Sequence, residues 1–160
     1  HWAPAHKVGR AFAEVHAPVA DNALLLQASA ALMKLAAGGE RWERFVWNVT
    51  DQPRLNAHPA HQGPERWAQT AVAQAWFRSE RQTFIPVPGA AQAVFTIHVE
   101  VQPLARVLDS PARAQALHEA IATMSPAVLA YRGLGAVREP LLQWLQAQAG
   151  RLAATARPAA

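Results

Sequence analysis

Hydrophobic and polar side chains alternate most regularly in the middle of the chain, over residues 75–102. There, two runs rich in β-branched and aromatic residues flank the loop PVPGAAQ. Such runs on either side of a Pro/Gly loop are typical of an antiparallel hairpin whose loop is longer than a two-residue turn. Residues 41–50 alternate in the same way and predict a third, half-buried strand, with Phe45, Trp47 and Val49 on one face.

Apolar residues recur at helical spacing in the chain before the hairpin. Residues 7–15 predict a short helix, which ends at HAPV because the residue before a proline avoids the α region. Residues 23–37 predict a longer helix, with Asp21 or Asn22 as its N-cap. The remaining elements predicted before the hairpin are a loop over 51–64 and a short helix over 65–74.

The chain after the hairpin is predicted to be helical. Ser110-Pro111 and Ser125-Pro126 each combine a good N-cap with proline at the first helical position, and Glu139-Pro140 is a weaker helix start. The last helix is expected to end at Gly150, which leaves a frayed, flexible tail over 151–160. Strands in the middle of the chain, with helices before and after them, indicate an α+β fold.

The hairpin carries more polar side chains than a sheet element usually does. Side chains alternate between the two faces of a strand, so Arg78, Glu80 and Gln82 share one face of the first strand. We expect Ile85 to lie opposite Ala93, because this register merges the apolar faces of the two strands. A slip of one residue would move every side chain to the other face.

This register has two chemical consequences. It sets Glu80 against His98, a pair that can handle a proton because a nearby negative charge favours the imidazolium. The alternative is an exposed cross-strand pair that contributes little to stability. The same register also leaves Arg81 on the apolar face. A guanidinium there needs an anionic partner because it cannot lose its proton.

Histidines are the other candidates for chemistry. His16, in HAPV, is held beside a proline at a helix end, which suits an axial ligand of haem or of a metal ion. A lone histidine at a helix end is also often a C-cap or a hydrogen-bonded core residue, and both interpretations stay open. His58 and His61 are spaced i, i+3 without a nearby carboxylate or cysteine, so we expect them to be solvated.

Composition narrows the function classes. The 160 residues, 51% hydrophobic and 16% charged, fit one globular domain, which we place over 1–150. The net charge is only +4 without any Lys/Arg run, so nucleic acid is not an expected partner. The absence of cysteine excludes thiol catalysis and Fe–S ligation by this chain and is compatible with a cytoplasmic location. No apolar run is long enough to cross a membrane, and the P-loop, G-x-S-x-G, G-x-G-x-x-G and HExxH motifs are missing.

Short motifs from Trp2 to about Leu145 occur in the order typical of one enzyme family. They are W-x-P-x-x-K-V-G-R, E-V-H-A-P-V, V-W-N-V, R-S-E-R-Q-T-F, P-V-P-G, F-T-I-H and M-S-P-x-x-x-x-Y-R-G-L. On these residues the chain resembles the haem-dependent oxidative N-demethylases. The R-x-E-R-Q and H-x-P-V elements are the most specific of these motifs.

The resemblance implies a PAS-like antiparallel sheet packed with helices and holding a b-type haem. It also implies that dioxygen and electrons from a separate flavin/iron–sulfur reductase demethylate a small secondary amine such as dimethylamine, with release of formaldehyde. A PAS-like sheet has about five strands, and three are predicted here. Further strands are therefore expected upstream, since the chain begins without a methionine.

The matching positions carry the family's roles to this chain. The resemblance makes His16 the expected axial or pocket histidine. It assigns Arg81 to a haem propionate or to iron-bound oxygen, and Glu80 to the substrate ammonium or to proton delivery. Arg78 is a further catalytic candidate on the same strand. The other matching residues are expected to line or brace the haem pocket: Lys7, Trp47, Asn48, Gln82 and Tyr131.

The segment after F-T-I departs from the family pattern. Where the family continues with a basic residue and then Thr-Tyr, this chain has His98, Val99 and Glu100. The departure makes His98 a second candidate for the axial ligand. It also keeps two other functions open: a haem-binding PAS-like sensor without turnover, and a haem-free module that binds a small molecule or a protein.

Overall fold

The structure is a computed structural model that describes residue 5 and residues 7–17, 19–57, 66–67 and 70–156. The chain divides into two compact units. The first unit comprises residues 1–47, 56–62 and 79–100, and the second comprises 48–55, 63–78 and 101–160. The candidates His58 and His61 lie outside the described residues.

Three antiparallel strands form the sheet. They are β1 (Trp42–Thr50), β2 (Trp76–Pro86) and β3 (Ala93–Pro103), and β2 lies in the centre. The bounds agree with the predicted strand and hairpin to within a residue, and the α+β class is confirmed. The PAS-like assignment stays a prediction.

Seven helices accompany the sheet in the described part of the chain. They are α1 (Phe12–His16), α2 (Ala23–Gln27), α3 (Ser29–Ala37), α4 (Leu104–Val107), α5 (Pro111–Ala122), α6 (Pro126–Arg132) and α7 (Arg138–Thr155). Short 3-10 turns cover Val72–Gln74 and Gly135–Val137. The predicted helix over 23–37 is thus two helices, interrupted at Ala28, and the described part of 65–74 contains a 3-10 turn and no α-helix.

The serine caps predicted after the hairpin are confirmed. The Ser110 hydroxyl accepts a hydrogen bond from the backbone N–H of Arg113, and that of Ser125 accepts one from Val128. Each is followed by proline at the first helical position. Gly133 ends α6 with φ +69°, a left-handed conformation that glycine adopts without the strain a Cβ would add.

The hairpin register differs by one residue from the predicted one. The Val87 N–H donates to the Gln92 carbonyl over 2.9 Å, and the Phe84 ring stacks on Phe95 with centroids 4.5 Å apart. Both pairs fit the register in which the strand ends Pro86 and Ala93 face each other. They are incompatible with the predicted register, in which Ile85 lies opposite Ala93.

The one-residue shift exchanges the faces of the hairpin. Glu80 lies opposite Val99, on the face that carries the apolar residues of β3, while Arg81 lies opposite His98 on the other face. The predictions that Arg81 shares the apolar face and that Glu80 faces His98 are therefore wrong. Burial agrees, because Glu80 is only 3% exposed whereas Arg81 is an exposed residue. We call the face with Glu80 the packed face and the face with Arg81 the open face.

A row of stacked rings across the sheet explains the shift. Trp42 of β1 stacks on Phe84 of β2 with centroids 4.1 Å apart, and Phe84 in turn stacks on Phe95 of β3. Each stacked aromatic pair contributes about 0.5–1.5 kcal/mol beyond its buried area. The predicted register would have separated Phe84 from Phe95 and lost this second pair.

The two units differ in their buried side chains. The second unit buries a series of large apolar residues completely: Val49, Leu104, Ile121, Leu134, Leu141 and Leu145. Among the described residues of the first unit, Ala36 is the only buried apolar side chain, and the others buried there are polar: Glu80, Gln82 and Thr83. Most of the exposed large hydrophobic residues also belong to the first unit, including Leu24, Leu35, Phe45, Val94 and Phe95.

The last helix does not end at Gly150, as predicted, but continues to Thr155. A methyl group added at Gly150 would meet no atom within 4 Å. Because glycine in a helix interior is less favourable than alanine by about 0.5–1 kcal/mol, we expect Gly150→Ala to stabilise the protein by that amount in urea denaturation. Ala147→Gly, at an exposed position of the same helix, should destabilise it similarly. If Gly150→Ala leaves the free energy of unfolding unchanged while Ala147→Gly clearly lowers it, the helix does not extend past Gly150.

Candidate functional site

A buried carboxylate occupies the packed face of the hairpin. One oxygen of Glu80, Oε2, accepts a hydrogen bond of 2.8 Å from Nε2 of Gln82. The Gln82 carbonyl oxygen in turn accepts one of 2.7 Å from Nε of Arg44 on β1. Gln82 is 7% exposed, so its amide is held between a cation and an anion inside the protein.

This chain of hydrogen bonds fixes the direction of the Glu80 carboxylate. The Gln82 amide cannot turn over without presenting its NH₂ to the Arg44 guanidinium, which only donates. Arg44 is itself placed over the Phe84 ring, with Cζ 5.9 Å from the ring centroid. The arrangement presents a buried, oriented carboxylate, the kind of group that can receive a proton or hold an ammonium.

The open face of the hairpin carries a shallow recess of about 220 Å³. It is lined by Phe45 of β1, Ser79 and Arg81 of β2, and His98 and Glu100 of β3. His98 Nε2 lies 3.5 Å from Glu100 Oε1, and both side chains are more than half exposed. Phe45 is 71% exposed, against the half-buried position expected of it. Two predicted site residues, Arg81 and His98, therefore meet in this recess, on the opposite side of the sheet from Glu80.

Glu43, also on β1, is a carboxylate whose pKa is held below its usual range. The main cause is the hydrogen bond from Arg41 Nη2, of 2.7 Å, and the next is the bond from the Thr83 hydroxyl, of 3.1 Å. The ionised form is thus favoured in the folded protein. Its stabilising contribution is present above the unfolded-state pKa and is lost as the pH falls through the lowered folded-state pKa.

We expect Thr83→Val to raise the pKa of Glu43, because the variant removes one of the two donors to its carboxylate. A carbon-detected NMR titration of the Glu43 carboxyl measures the change. Thr96→Val serves as the control, since Thr96 lies opposite Thr83 on β3 without a hydrogen bond to Glu43. An unchanged or lower pKa in Thr83→Val would contradict the assigned cause.

His16 is the last residue of α1 and is half-buried. Its Nδ1 lies 2.8 Å from the Phe12 carbonyl, and its ring stacks on the Phe12 ring at 4.0 Å. A carbonyl only accepts, so Nδ1 carries the proton and Nε2 keeps the lone pair of the neutral imidazole. A backbone carbonyl on the other nitrogen is the usual second partner of a histidine that binds a metal ion. The donor atom that an axial ligand needs is therefore present at His16.

The end of α1 is held by Asn22. Its Nδ2 donates to the carbonyls of His16, at 3.2 Å, and Ala17, at 2.9 Å. The residue occupies the predicted N-cap position of α2, but its side chain makes no cap hydrogen bond to that helix. Asn22 thus fixes the His16 segment, a role that its sequence position did not reveal.

The remaining predicted site residues lie at other places. Arg78 donates to the Leu55 carbonyl over 3.2 Å, and Asn48 donates to the Arg132 carbonyl over 3.3 Å. These two contacts brace backbone segments. Lys7 and Trp47 are half-buried, and Tyr131 on α6 is 53% exposed.

Three participants were missed by sequence reasoning: Arg44, Phe84 and Glu100. Arg44 could have been found from the alternation of β1, since it lies on the face opposite Phe45. The contact of Glu100 with His98 could also have been found, because residues two apart on a strand share a face. The partner of Phe84 on β3 depends on the hairpin register, so the sequence offered no local signal for it.

Neither a metal-binding cluster nor a membrane helix is found in the part of the chain that the structure describes. Those residues contain no group of three or more His, Cys, Asp or Glu side chains placed to hold a metal ion. Haem iron differs from such sites because the protein supplies only its axial ligands. No helix among the same residues is both long and apolar enough to cross a bilayer.

A comparison with protein families identifies the chain. The model of the family described as haem-dependent oxidative N-demethylase, alpha subunit-like, matches residues 1–142. The match includes every predicted site residue, from Lys7 to Tyr131, and it confirms the resemblance drawn from the short motifs. The chain belongs to the alpha-subunit-like family of the haem-dependent oxidative N-demethylases.

Proposed function

We propose that this protein is a haem-dependent oxidative N-demethylase that acts on a small secondary amine such as dimethylamine. The family match over residues 1–142 carries the proposal. In the proposed reaction, dimethylamine, dioxygen, two electrons and two protons give methylamine, formaldehyde and water. A separate flavin/iron–sulfur reductase supplies the electrons.

His16 is the proposed axial ligand of the haem. Its Nδ1 is engaged by the Phe12 carbonyl, so Nε2 is the nitrogen that would bind iron. The first unit, to which His16 belongs, leaves several large apolar side chains exposed, and a haem macrocycle is an apolar surface that could cover such groups. The haem, when bound, supplies the oxidising chemistry.

Glu80 is the proposed partner of the amine. A small secondary amine is an ammonium ion at neutral pH, and a buried carboxylate attracts a cation more strongly than an exposed one does. In the proposal, Glu80 Oε1 or Oε2 binds the N–H group and accepts its proton, while Gln82 keeps the carboxylate in place. Arg81 has no part in this contact, because adjacent residues of a strand point to opposite faces.

Replacing His16 tests the haem site. We expect the protein expressed with excess haem to show a Soret band, and His16→Ala to change it and to weaken haem binding by about tenfold or more, since one coordinate bond is lost. His118→Ala, which removes a histidine of α5, should leave the spectrum unchanged. An unchanged His16→Ala spectrum together with an altered His98→Ala spectrum would overturn the assignment and move the ligand to His98.

Formaldehyde release distinguishes an enzyme from a sensor. With reductant, dioxygen and dimethylamine, the haem-loaded protein should produce formaldehyde in proportion to the amine consumed. Trimethylamine and methylamine, assayed in parallel, show how many methyl groups on the nitrogen the protein prefers in its substrate. A protein that binds haem and dioxygen without formaldehyde production from any of the three would contradict the proposed activity.

A further inference from the structure

The open face of the hairpin holds opposite charges that do not satisfy each other. Arg81 interacts with the Glu43 carboxylate only through space, which helps to lower the pKa of that group. It makes no hydrogen bond or ion pair with any residue that the structure describes, although Glu100 lies diagonally across from it on β3. Diagonal side chains on neighbouring strands have Cβ atoms about 7–8 Å apart, a distance that long side chains can span. The Glu100 carboxylate is instead directed to His98, 3.5 Å away.

The space between the two charges is the recess of about 220 Å³. This volume is smaller than the sites of about 300–1,000 Å³ that take drug-sized ligands, so it suits a molecule of a few heavy atoms. Ser79 adds a hydroxyl beside Glu100, and the exposed ring of Phe45 forms an apolar wall. All five lining residues belong to the first unit.

The charges select the chemical class of the ligand. A simple carboxylate on Arg81 would be repelled by Glu100, and a simple cation on Glu100 would be repelled by Arg81. A molecule with both a carboxylate and an ammonium avoids both repulsions and can offer two oxygens to the guanidinium fork. The Phe45 face can additionally receive an alkyl group or the ammonium itself.

We propose that this recess binds a small zwitterion of the amino-acid type, with its carboxylate on Arg81 and its ammonium on Glu100. Ser79 and His98 hold the acidic side of the site, and Phe45 forms its apolar wall. The proposal concerns binding alone and depends neither on haem nor on turnover.

NMR titration of the 160-residue chain with four probes tests the charge requirement. Glycine and N-methylglycine carry both charges, acetate carries only the carboxylate, and dimethylammonium carries only the cation. We expect the two zwitterions to shift the amide signals of the recess residues and to bind about tenfold or more tightly than either single-charge probe, because each charged contact is worth about 1.5–3 kcal/mol. Acetate binding as tightly as glycine would overturn the proposal in favour of a plain anion site.

Charge-removing variants test the two contacts. Arg81→Gln and Glu100→Gln should each weaken glycine binding by about tenfold or more. Arg113→Gln and Glu119→Gln, which remove exposed charges of α5, should leave it unchanged. All four positions are exposed, so the folds of the variants can be compared directly by circular dichroism. Binding that survives in both recess variants, or that is absent from the unaltered protein at saturating glycine, would overturn the site.

The outcome is separable from the proposed enzyme activity. A protein that binds glycine but releases no formaldehyde would keep the recess and contradict the proposed function. A protein that demethylates dimethylamine, but whose recess residues show no NMR shifts with glycine, would support the proposed function and contradict the recess site.

Discussion

Gly133→Ala is expected to lower the free energy of unfolding by about 2–4 kcal/mol. Two effects combine at this position. The residue has φ +69°, which costs a residue with a Cβ about 1–2 kcal/mol. In addition, the new Cβ would overlap Nη1 of Arg66, so the guanidinium must move.

Moving Arg66 breaks a network that holds the end of α6. Its Nη1 donates to the Arg132 carbonyl at 3.3 Å, and its Nε lies 3.7 Å from Asp51 Oδ1. Trp67 Nε1 donates to the Gly133 carbonyl itself at 3.0 Å. Asp51 is nearly buried, and a buried polar group that loses its partner costs about 1–3 kcal/mol.

Urea denaturation followed by circular dichroism measures the loss, and two comparisons separate its causes. Gly89 has φ +73° with no atom within 4 Å of an added Cβ, so Gly89→Ala should show the backbone cost alone. In an Arg66→Ala background the steric contact is gone, and Gly133→Ala should then cost no more than Gly89→Ala. If Gly133→Ala costs the same with and without the Arg66 side chain, the contact contributes nothing.

Glu80→Gln is expected to lower the rate of formaldehyde release by about 10²–10⁴-fold, the range that general acid–base groups contribute. The prediction rests on the proposed function. Glutamine has nearly the same shape as glutamate and its carbonyl can still accept from Gln82, so the fold and the Soret band should be retained. The measurement is kcat for dimethylamine on protein of equal haem content.

Gln82→Leu tests whether the orientation of the carboxylate matters. The variant removes both hydrogen bonds of the amide and leaves Glu80 present, so we expect a smaller loss of kcat together with a displaced pH–rate profile. A merely structural role of Gln82 would lower stability without moving the profile. Glu119→Gln, on the exposed side of α5, is the matched control and should change neither quantity. A Glu80→Gln enzyme with unaltered kcat would remove Glu80 from the proposed chemistry.

Local features of this fold could be predicted from the sequence. A Ser-Pro pair specifies a helix start within four residues, which is why the caps at Ser110 and Ser125 were placed correctly. The strand bounds could be predicted for a similar reason, because side-chain alternation is also visible within a few consecutive residues. The position of His16 at a helix end also depends only on its immediate neighbours.

Features that depend on contacts between distant residues could not be predicted. The hairpin register depends on whether Phe84 meets Phe95, and that contact competes with the merging of the apolar faces. The period-two pattern favoured the register that merges the apolar faces, because a slip of one residue moves every side chain to the other face, but it carried no information on the stacking of Phe84 and Phe95. The burial of Glu80 and the exposure of Arg81 both follow from that choice, so the two candidate sites were assigned to the wrong faces. Asn22 was misjudged for a similar reason, because its partners belong to the preceding helix and not to the one it begins.

The uneven burial of apolar side chains has a consequence for the life of the protein in the cell. A unit with few buried apolar contacts opens at low free-energy cost and is the part that proteases reach first. A ligand that binds only the closed form stabilises it by about 4 kcal/mol when present at a thousandfold excess over its Kd. If haem is that ligand, its supply decides how long each newly made chain survives, so cells short of iron would lose the protein by degradation while still synthesising it.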